Sequence, residues 1–247
     1  MLTNAKHLKG FVIRATDGEL GVVDELYFDD DSWTIRYFIV GTGGWLGGRP
    51  VLISPISIIH TDWTGQRLDV ALTKDQVQQS PDIYTRQPIS RQHEAEYTSY
   101  YGYDSYWAES NAWIGMPSPL RDCHLRSVET VTGYHIEATD GEIGHVCGFV
   151  VDDETWAIRF LEVATRNWWP GKKVLISPAW IKSVSWEESK VYVDLTREAI
   201  QNGPPYVESN PIDREYESKL YGHYSRPPYW MPTEGEYPRS AQQPLRT

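Results

Sequence analysis

The chain has 247 residues and a hydrophobic fraction of 40%, with 11 Trp and 16 Tyr, a composition that favours folded, β-rich material over disorder. Its formal net charge is −11 and no run of Lys or Arg offsets it, so the surface repels phosphate backbones and nucleic acid is excluded as the expected partner. No segment approaches the roughly 20 apolar residues of a bilayer span, the N-terminal run lacks a secretory apolar stretch, and two cysteines, Cys123 and Cys147, make no disulfide framework, so a soluble protein of the reducing cytoplasm is the expectation.

The first predicted element is a hairpin. Residues 15–21 read ATDGELG, and Asp17-Gly18 is a turn signal because glycine accepts positive φ without a Cβ clash. The strand VVDELYF follows, with apolar positions at Val23, Leu26 and Phe28; the change of parity near Asp24-Glu25 predicts a β-bulge. An acidic turn, Asp29-Asp30-Asp31-Ser32, leads into the strand WTIRYFIV, which is partly apolar on both faces. The loop TGGWLGGRP precedes the strand VLIS, which Pro55 ends. SIIHTDW and RLDVAL flank Thr64-Gly65-Gln66 as a second hairpin, and Thr73 is the predicted N-cap of a short helix, KDQVQQ.

The series then recurs. Aligning Asp17 with Asp140 sets an offset of 123 residues, at which Gly10 meets Gly133, Ile13 meets Ile136, Trp33 meets Trp156, Ile35-Arg36 meet Ile158-Arg159, and VLISP at 51–55 meets VLISP at 174–178. ATDGEIG opens the second copy's hairpin, HVCGFVV carries the equivalent parity change near Cys147-Gly148, and Asp152-Asp153-Glu154-Thr155 form the acidic turn. In the strand WAIRFLEV, Glu162 replaces Ile39, so the tip of that face is expected to reach water. TRNWWPGKK, VLIS, IKSVSW, Glu187-Glu188-Ser189 and KVYVDL follow in order, and Thr196 is the predicted cap of REAIQN. The match runs without a gap, so the chain is a tandem duplication whose period is far too long for a solenoid. Each copy is expected to be a domain in its own right, with about six strands in roughly 75 residues, a size at which closing the sheet into a barrel removes its edges.

The segments after each copy also match. Gln87-Pro88-Ile89-Ser90-Arg91 answers Asn210-Pro211-Ile212-Asp213-Arg214, Tyr101-Gly102 answers Tyr221-Gly222, and Tyr106-Trp107 answers Tyr229-Trp230. Ser90 and Asp213 are predicted helix N-caps. The expected organisation is therefore barrel 1 over 1–80, a helix and Tyr-rich linker over 81–120, barrel 2 over 121–203, and a helix, Tyr-rich arm and frayed tail over 204–247. The arms either lie across a barrel, within the chain or on a second subunit, or grip another protein, since Tyr and Trp make strong interface anchors.

The combination W-x-I-R-[YF], T-x-x-W and G-[RK]-x-V-L-I-S-P behind D-G-E-[LI]-G resembles the PRC-barrel domain, in both copies. That family takes its name from the cytoplasmic domain of the photosynthetic reaction-centre H subunit, and a related barrel forms the C-terminal half of a ribosome-maturation factor. The resemblance implies a small, strongly bent, mostly antiparallel barrel, mainly β, and implies assembly or protein-contact roles rather than enzyme activity. This sequence departs from both relatives. It shows no N-terminal membrane helix, and it carries a second PRC-like copy where the maturation factor has a different domain. The overall pattern is most similar to soluble bacterial tandem PRC-barrel proteins.

Candidate chemistry is sparse. The turn DDDSWT lacks the spaced ligands, central Gly and distal Glu of a calcium loop. Cys123-His124 and His145-x-Cys147 are the clustered soft ligands, but their 20-residue separation matches no compact finger and copy one has Val22 and Asp24 at the equivalent strand positions. Whether the four come together is left open. No G-x-S-x-G elbow or triad context occurs, and Gly43-Gly44 with Gly47-Gly48-Arg49 lack a Walker ending. No catalytic residue, metal or cofactor is therefore expected. Arg36 and Arg159, mid-strand in both copies, are expected to form structural ion pairs with Glu19/Glu142 or with Asp29/Asp152. The candidate partner-contact residues are Trp45, Leu46, Trp168 and Trp169 in the loops and Tyr106, Trp107, Tyr229 and Trp230 in the arms; the alternative for the loops is that each folds back to cap its own barrel. The functional expectation is a non-enzymatic scaffold or adaptor for protein partners, with a homo-oligomer or an intramolecular barrel pair as its assembly. The alternative is a small-ligand or metal-binding protein that uses the cleft between barrels.

Overall fold

The computed structural model describes residues 1–81, 89, 91–107, 124–165 and 172–231. Its strands are β1 (Leu2–Asn4), β2 (Val12–Ala15), β3 (Gly18–Asp29), β4 (Thr34–Gly41), β5 (Val51–Ile53), β6 (Ile58–Asp62) and β7 (Arg67–Val70), then β8 (Leu125–Ser127), β9 (His135–Ala138), β10 (Gly141–Asp152), β11 (Ile158–Thr165), β12 (Lys173–Ile176), β13 (Ile181–Ser185) and β14 (Lys190–Val193). They form two seven-stranded sheets of one design, β5-β4-β3-β2-β7-β6 and β12-β11-β10-β9-β14-β13, each with one further strand beside its long hairpin. The ends of the first path, β5 and β6, are joined by the 3-10 turn Pro55–Ser57, which bends the sheet back around Ile13, Leu20, Phe38, Ile53 and Leu68. Pro178–Trp180 does the same in the second copy.

The repeated heptapeptide is explained by what its residues hold. Thr16 Oγ1 donates to the Leu72 carbonyl (3.1 Å), and Asp17 Oδ1 accepts from the Lys74 amide (2.8 Å) at the start of α1 (Lys74–Gln78). Thr139 and Asp140 make the equivalent bonds to Leu195 (3.2 Å) and to Arg197 (2.7 Å), which opens α4 (Arg197–Asn202). A Cβ on Gly21 or Gly144 would overlap the carbonyl oxygen of Gly41 or Ala164 on the neighbouring strand. Each motif therefore ties hairpin to helix and lets two strands close up.

The parity changes are β-bulges. The β3–β4 ladder slips between Val23 and Glu25, and the β10–β11 ladder between Val146 and Gly148. Thr73 caps α1 through the Gln76 amide in a capping box, Thr196 caps α4 through the Ala199 amide, and Asp213 caps α5 (Arg214–His223) through the Tyr216 amide. Ser90 lies outside the described residues. In the first copy α2 (Arg91–Tyr101) lies on the outer face of the barrel, where Tyr97 packs with Tyr37, Ile39 and Leu52; α5 covers the second barrel with Leu220, Tyr221 and Tyr224 against Phe160 and Trp180.

Two expectations are modified. First, the copies are not self-contained. β1 pairs with β10 of the second sheet, Leu2 opposite Asp152, and β8 (its counterpart at the 123-residue offset) pairs with β3 of the first, Leu125 opposite Asp29. Each copy thus lends its first strand to the other in the same register. α3 (Val128–Val131) follows β8 and packs on β3. At the centre, Thr34 bridges its own counterpart Ala157, the Ile35 amide donates to the Trp156 carbonyl (2.9 Å), and the Ile158 amide donates to the Trp33 carbonyl (2.7 Å). This reciprocity marks a pseudo-twofold axis. Trp33 and Trp156 beside it take φ of 51° and 59°, a left-handed conformation costly for bulky residues and held here by the reciprocal bonds. Phe28 meets Phe149 (5.7 Å between ring centres) and Phe38 meets Trp156 (5.1 Å), so the buried apolar cluster runs on across the seam.

Second, Glu162 does not reach water. It is 1% exposed, accepts from Asn4 Nδ2 (2.6 Å) and pairs with Lys173. The exchanged β1 covers this face and brings Asn4 with it, while a lysine supplies the countercharge that a buried carboxylate requires. The Lys173 ammonium is held above its ordinary pKa by the bond to Glu162.

Candidate functional site

The strand exchange leaves two clefts, one on each side of the pseudo-twofold axis, whose linings share a set of equivalent residues, among them the acidic turns, the mid-strand arginines and the Ser-Pro turns. The larger, about 930 Å³, is lined by Asp30, Asp31 and Ser32 of one copy and by Arg159, Ser177, Pro178, Ala179 and Tyr229 of the other. The smaller, about 450 Å³, is lined by Asp153, Glu154 and Thr155 facing Arg36, Ser54, Pro55, Ile56 and Tyr106. Both fall within the ~300–1,000 Å³ of ligand clefts. Each cleft therefore sets the acidic turn of one barrel opposite the mid-strand arginine of the other.

The two arginines occupy the same environment. The Arg36 guanidinium lies 3.7 Å from the ring centre of Tyr106 and donates to Ser32 Oγ (3.0 Å). Arg159 lies 4.1 Å from the ring centre of Tyr229 and donates to Asp152 Oδ2 (2.9 Å) and Thr155 Oγ1 (3.2 Å). The tyrosine hydroxyls are anchored in turn: Tyr106 donates to Glu94 (2.7 Å) and Tyr229 to Glu217 (2.9 Å), both buried carboxylates one helical layer away. Burial raises the Glu217 pKa against the opposing pull of Tyr229 and Arg214, and burial with Glu217 nearby pushes the Tyr229 hydroxyl up to about 12. The Asp152 carboxyl, despite partial burial, is held below its usual value by Arg159. An arginine sandwiched between a ring and an oxygen is a fixed strut, worth about 0.5–2 kcal/mol for the ring contact alone. The expected Asp152 partner is correct for Arg159, whereas Glu142 pairs with His135 (2.9 Å).

The acidic turn of the larger cleft gathers nitrogen-bearing side chains. Arg126 Nε lies 2.8 Å from Asp30 Oδ2, its guanidinium lies 4.0 Å from the Trp186 ring centre, and His124 Nδ1 lies 3.1 Å from Asp30 and 3.3 Å from Asp31. Burial raises the Asp30 pKa and outweighs Arg126 and His124. Ligand atoms of Asp30, Asp31 and His124 all lie within 4.8 Å of one another. In the smaller cleft Asp153 pairs with the Met1 ammonium and accepts from Trp63 Nε1 (3.0 Å).

The predicted contact residues divide. Trp45 folds back on its own barrel: Nε1 donates to the Leu20 carbonyl (2.6 Å), Lys74 sits over its ring, and Trp45 and Leu46 are half-buried against the core. Trp168 and Trp169 lie outside the described residues. Tyr106 and Tyr229 face the clefts as described; Trp107 packs on Tyr106 (4.8 Å), and Trp230 packs on Tyr221 (5.4 Å) under the Arg214 guanidinium (4.0 Å). The soft-ligand group is not brought together among the described residues. His124 joins the first barrel's turn, while Cys147 sits in the other sheet, donating to the Glu162 carbonyl (3.4 Å), its thiol pushed up to about 12 by burial and by Glu162; Cys123 lies outside the described residues. Sequence reasoning missed Glu94 and Glu217, legible only as the equivalent glutamates of two matching helices. It also missed Ile56 and Ile59, which protrude at 65% and 67% exposure on the smaller cleft.

Residues 5–76 match the family model of the PRC-barrel domain. The chain thus carries a PRC-barrel domain, and its second sheet repeats that domain's strand order and register as a tandem barrel-like copy. No curated protein matches the chain. No helix among the described residues is long and apolar enough to cross a membrane.

Proposed function

We propose that this protein is a non-enzymatic cytoplasmic scaffold that holds protein partners at the clefts between its two PRC-type barrels. One observation carries the reading: the groups best suited to clamp a substrate, Arg36 and Arg159, are committed to Tyr106, Tyr229 and their own acidic turns, while Ile56 and Ile59 protrude in the cleft beside Arg36. Polar groups spent on holding the fold, next to exposed apolar surface, favour contact over chemistry. The test is affinity capture from native lysate with the full chain as bait and an unrelated acidic protein of similar size as control. Stoichiometric capture of specific proteins is expected; capture indistinguishable from the control overturns the scaffold role.

A second reading, a metal- or small-ligand-binding protein, is favoured by the convergence of Asp30, Asp31 and His124 on the larger cleft. Two carboxylates and an imidazole form a donor set suited to zinc or manganese, with open positions toward solvent. Elemental analysis of the purified chain and a zinc-dependent melting shift that His124→Ala removes are the results this reading requires.

A further inference from the structure

The two clefts are equivalent by descent and unlike in chemistry, and one difference lies on their edge strands. β6 and β13 end their sheet paths, with β7 or β14 on one side only. Exposed sheet edges are blunted in natural proteins, among other ways by charged side chains, lysine especially. β13 is blunted in this way: Lys182 stands at its exposed bulge position, next to Ala179 in the preceding turn. At the same two positions the first copy carries Ile59 and Ile56, at 67% and 65% exposure. The second copy shows that the barrel folds with lysine and alanine there, so packing does not demand the isoleucines. Both line the smaller cleft, with Pro55, Ile58 and Tyr103 extending the apolar strip. On the rim stand Asp104 and Glu154, both exposed, and neither has a Lys or Arg partner among the described residues.

We propose that the smaller cleft along β6 is a docking groove for an extended segment of a partner protein that combines apolar anchors with Lys or Arg. The anchors pack on Ile56, Ile59 and Tyr103, and the cations face Asp104 and Glu154. A second copy of this chain is disfavoured as the occupant, because edge-to-edge pairing sets two acidic rims against each other in a molecule of net charge −11. The bulge at Ile59 interrupts the regular ladder, so side chains rather than a continuous run of backbone bonds carry the contact. This proposal rests on the scaffold reading and names the class of partner.

The test uses the full chain as target for a random-heptapeptide display library, followed by titration of one enriched synthetic peptide. Enriched sequences are expected to pair apolar residues with Lys or Arg. Ile59→Lys, which installs the second copy's own residue, is expected to leave the melting temperature unchanged and to weaken binding at least tenfold. Lys182→Glu, at the equivalent position of β13 in the second copy, is expected to leave it unchanged. No enrichment, enrichment of acidic peptides, or equal affinity for wild type and Ile59→Lys overturns the groove, as does a dimer in light scattering that Ile59→Lys dissociates. Lysate partners retained in full by Ile59→Lys likewise overturn the groove while leaving the scaffold role intact; a groove that passes the peptide test with nothing captured from lysate counts against the scaffold role alone.

Discussion

Truncation of Asn4 tests the strand exchange most directly, because its counterpart Ser127 shares its capping role but not its bond to a buried carboxylate. Asn4 does two things: its Oδ1 accepts from the Lys6 amide (3.0 Å) as an N-cap, and its Nδ2 donates to the buried carboxylate of Glu162 (2.6 Å). Its counterpart Ser127 does one, accepting from the Thr130 amide (2.9 Å) as an N-cap. Loss of a cap costs about 1 kcal/mol. Loss of a hydrogen bond to a charged group costs about 1.5–3 kcal/mol, the upper end applying where the charge is left buried. Asn4→Ala should therefore destabilise by about 2.5–4 kcal/mol and Ser127→Ala by about 1 kcal/mol. Urea unfolding followed by tryptophan fluorescence and circular dichroism reads both. The excess should disappear in the Glu162→Ile background, which restores the first copy's residue at that position. Equal costs for the two alanine variants, or an excess that survives Glu162→Ile, would refute the role assigned to the exchanged strand in covering Glu162.

Three other outcomes follow from the geometry. Gly21→Ala and Gly144→Ala each push a methyl group into a carbonyl of the adjacent strand, and Gly21 also has φ of 151°; both should destabilise by about 1–3 kcal/mol or more, with Gly21→Ala the worse in a side-by-side urea series. The Glu217 carboxyl has its folded-state pKa raised by burial, so the folded protein holds that proton more tightly than the unfolded chain. Stability from this group is complete below its ordinary value of 4.5 and falls as pH rises through the raised value; a melting-temperature profile should lose this pH-dependent component in Glu217→Gln, and an unchanged profile would show that burial does not bias its titration. Cys147, with its thiol near 12, should resist alkylation in the folded chain at pH 8 and react promptly in denaturant, as peptide mapping would show.

Much of this fold was legible because its determinants are local. The caps Thr73, Thr196 and Asp213, the bulges after Val23 and Val146, and the Thr16-Asp17 and Thr139-Asp140 ties sit within one hairpin or one helix start. The strand exchange was not legible for a symmetrical reason. Because β3 and β10 present equivalent edges in the same register, the residues of β1 fit either, and only the path of the chain about the pseudo-twofold axis selects one. Glu162 was misread for the same cause, since its cover comes from the other copy. The arginine–tyrosine–glutamate struts were half visible: each member was repeated, but the arms carrying Tyr106 and Tyr229 are joined to Arg36 and Arg159 only in three dimensions. Ile56 and Ile59 gave no signal of their own, because apolar residues in a strand read as core until the burial of each is known.

Duplication inside one chain has a consequence for valency. In a true homodimer every substitution appears twice, so both clefts must change together and any ligand binds in pairs. Covalent fusion releases that constraint: one copy can keep an isoleucine on its edge strand while the other takes a lysine, and one acidic turn can gain a histidine neighbour that the other lacks. The resulting body has a front and a back, and on the scaffold role proposed above each cleft would take one molecule, two different ones in a fixed order.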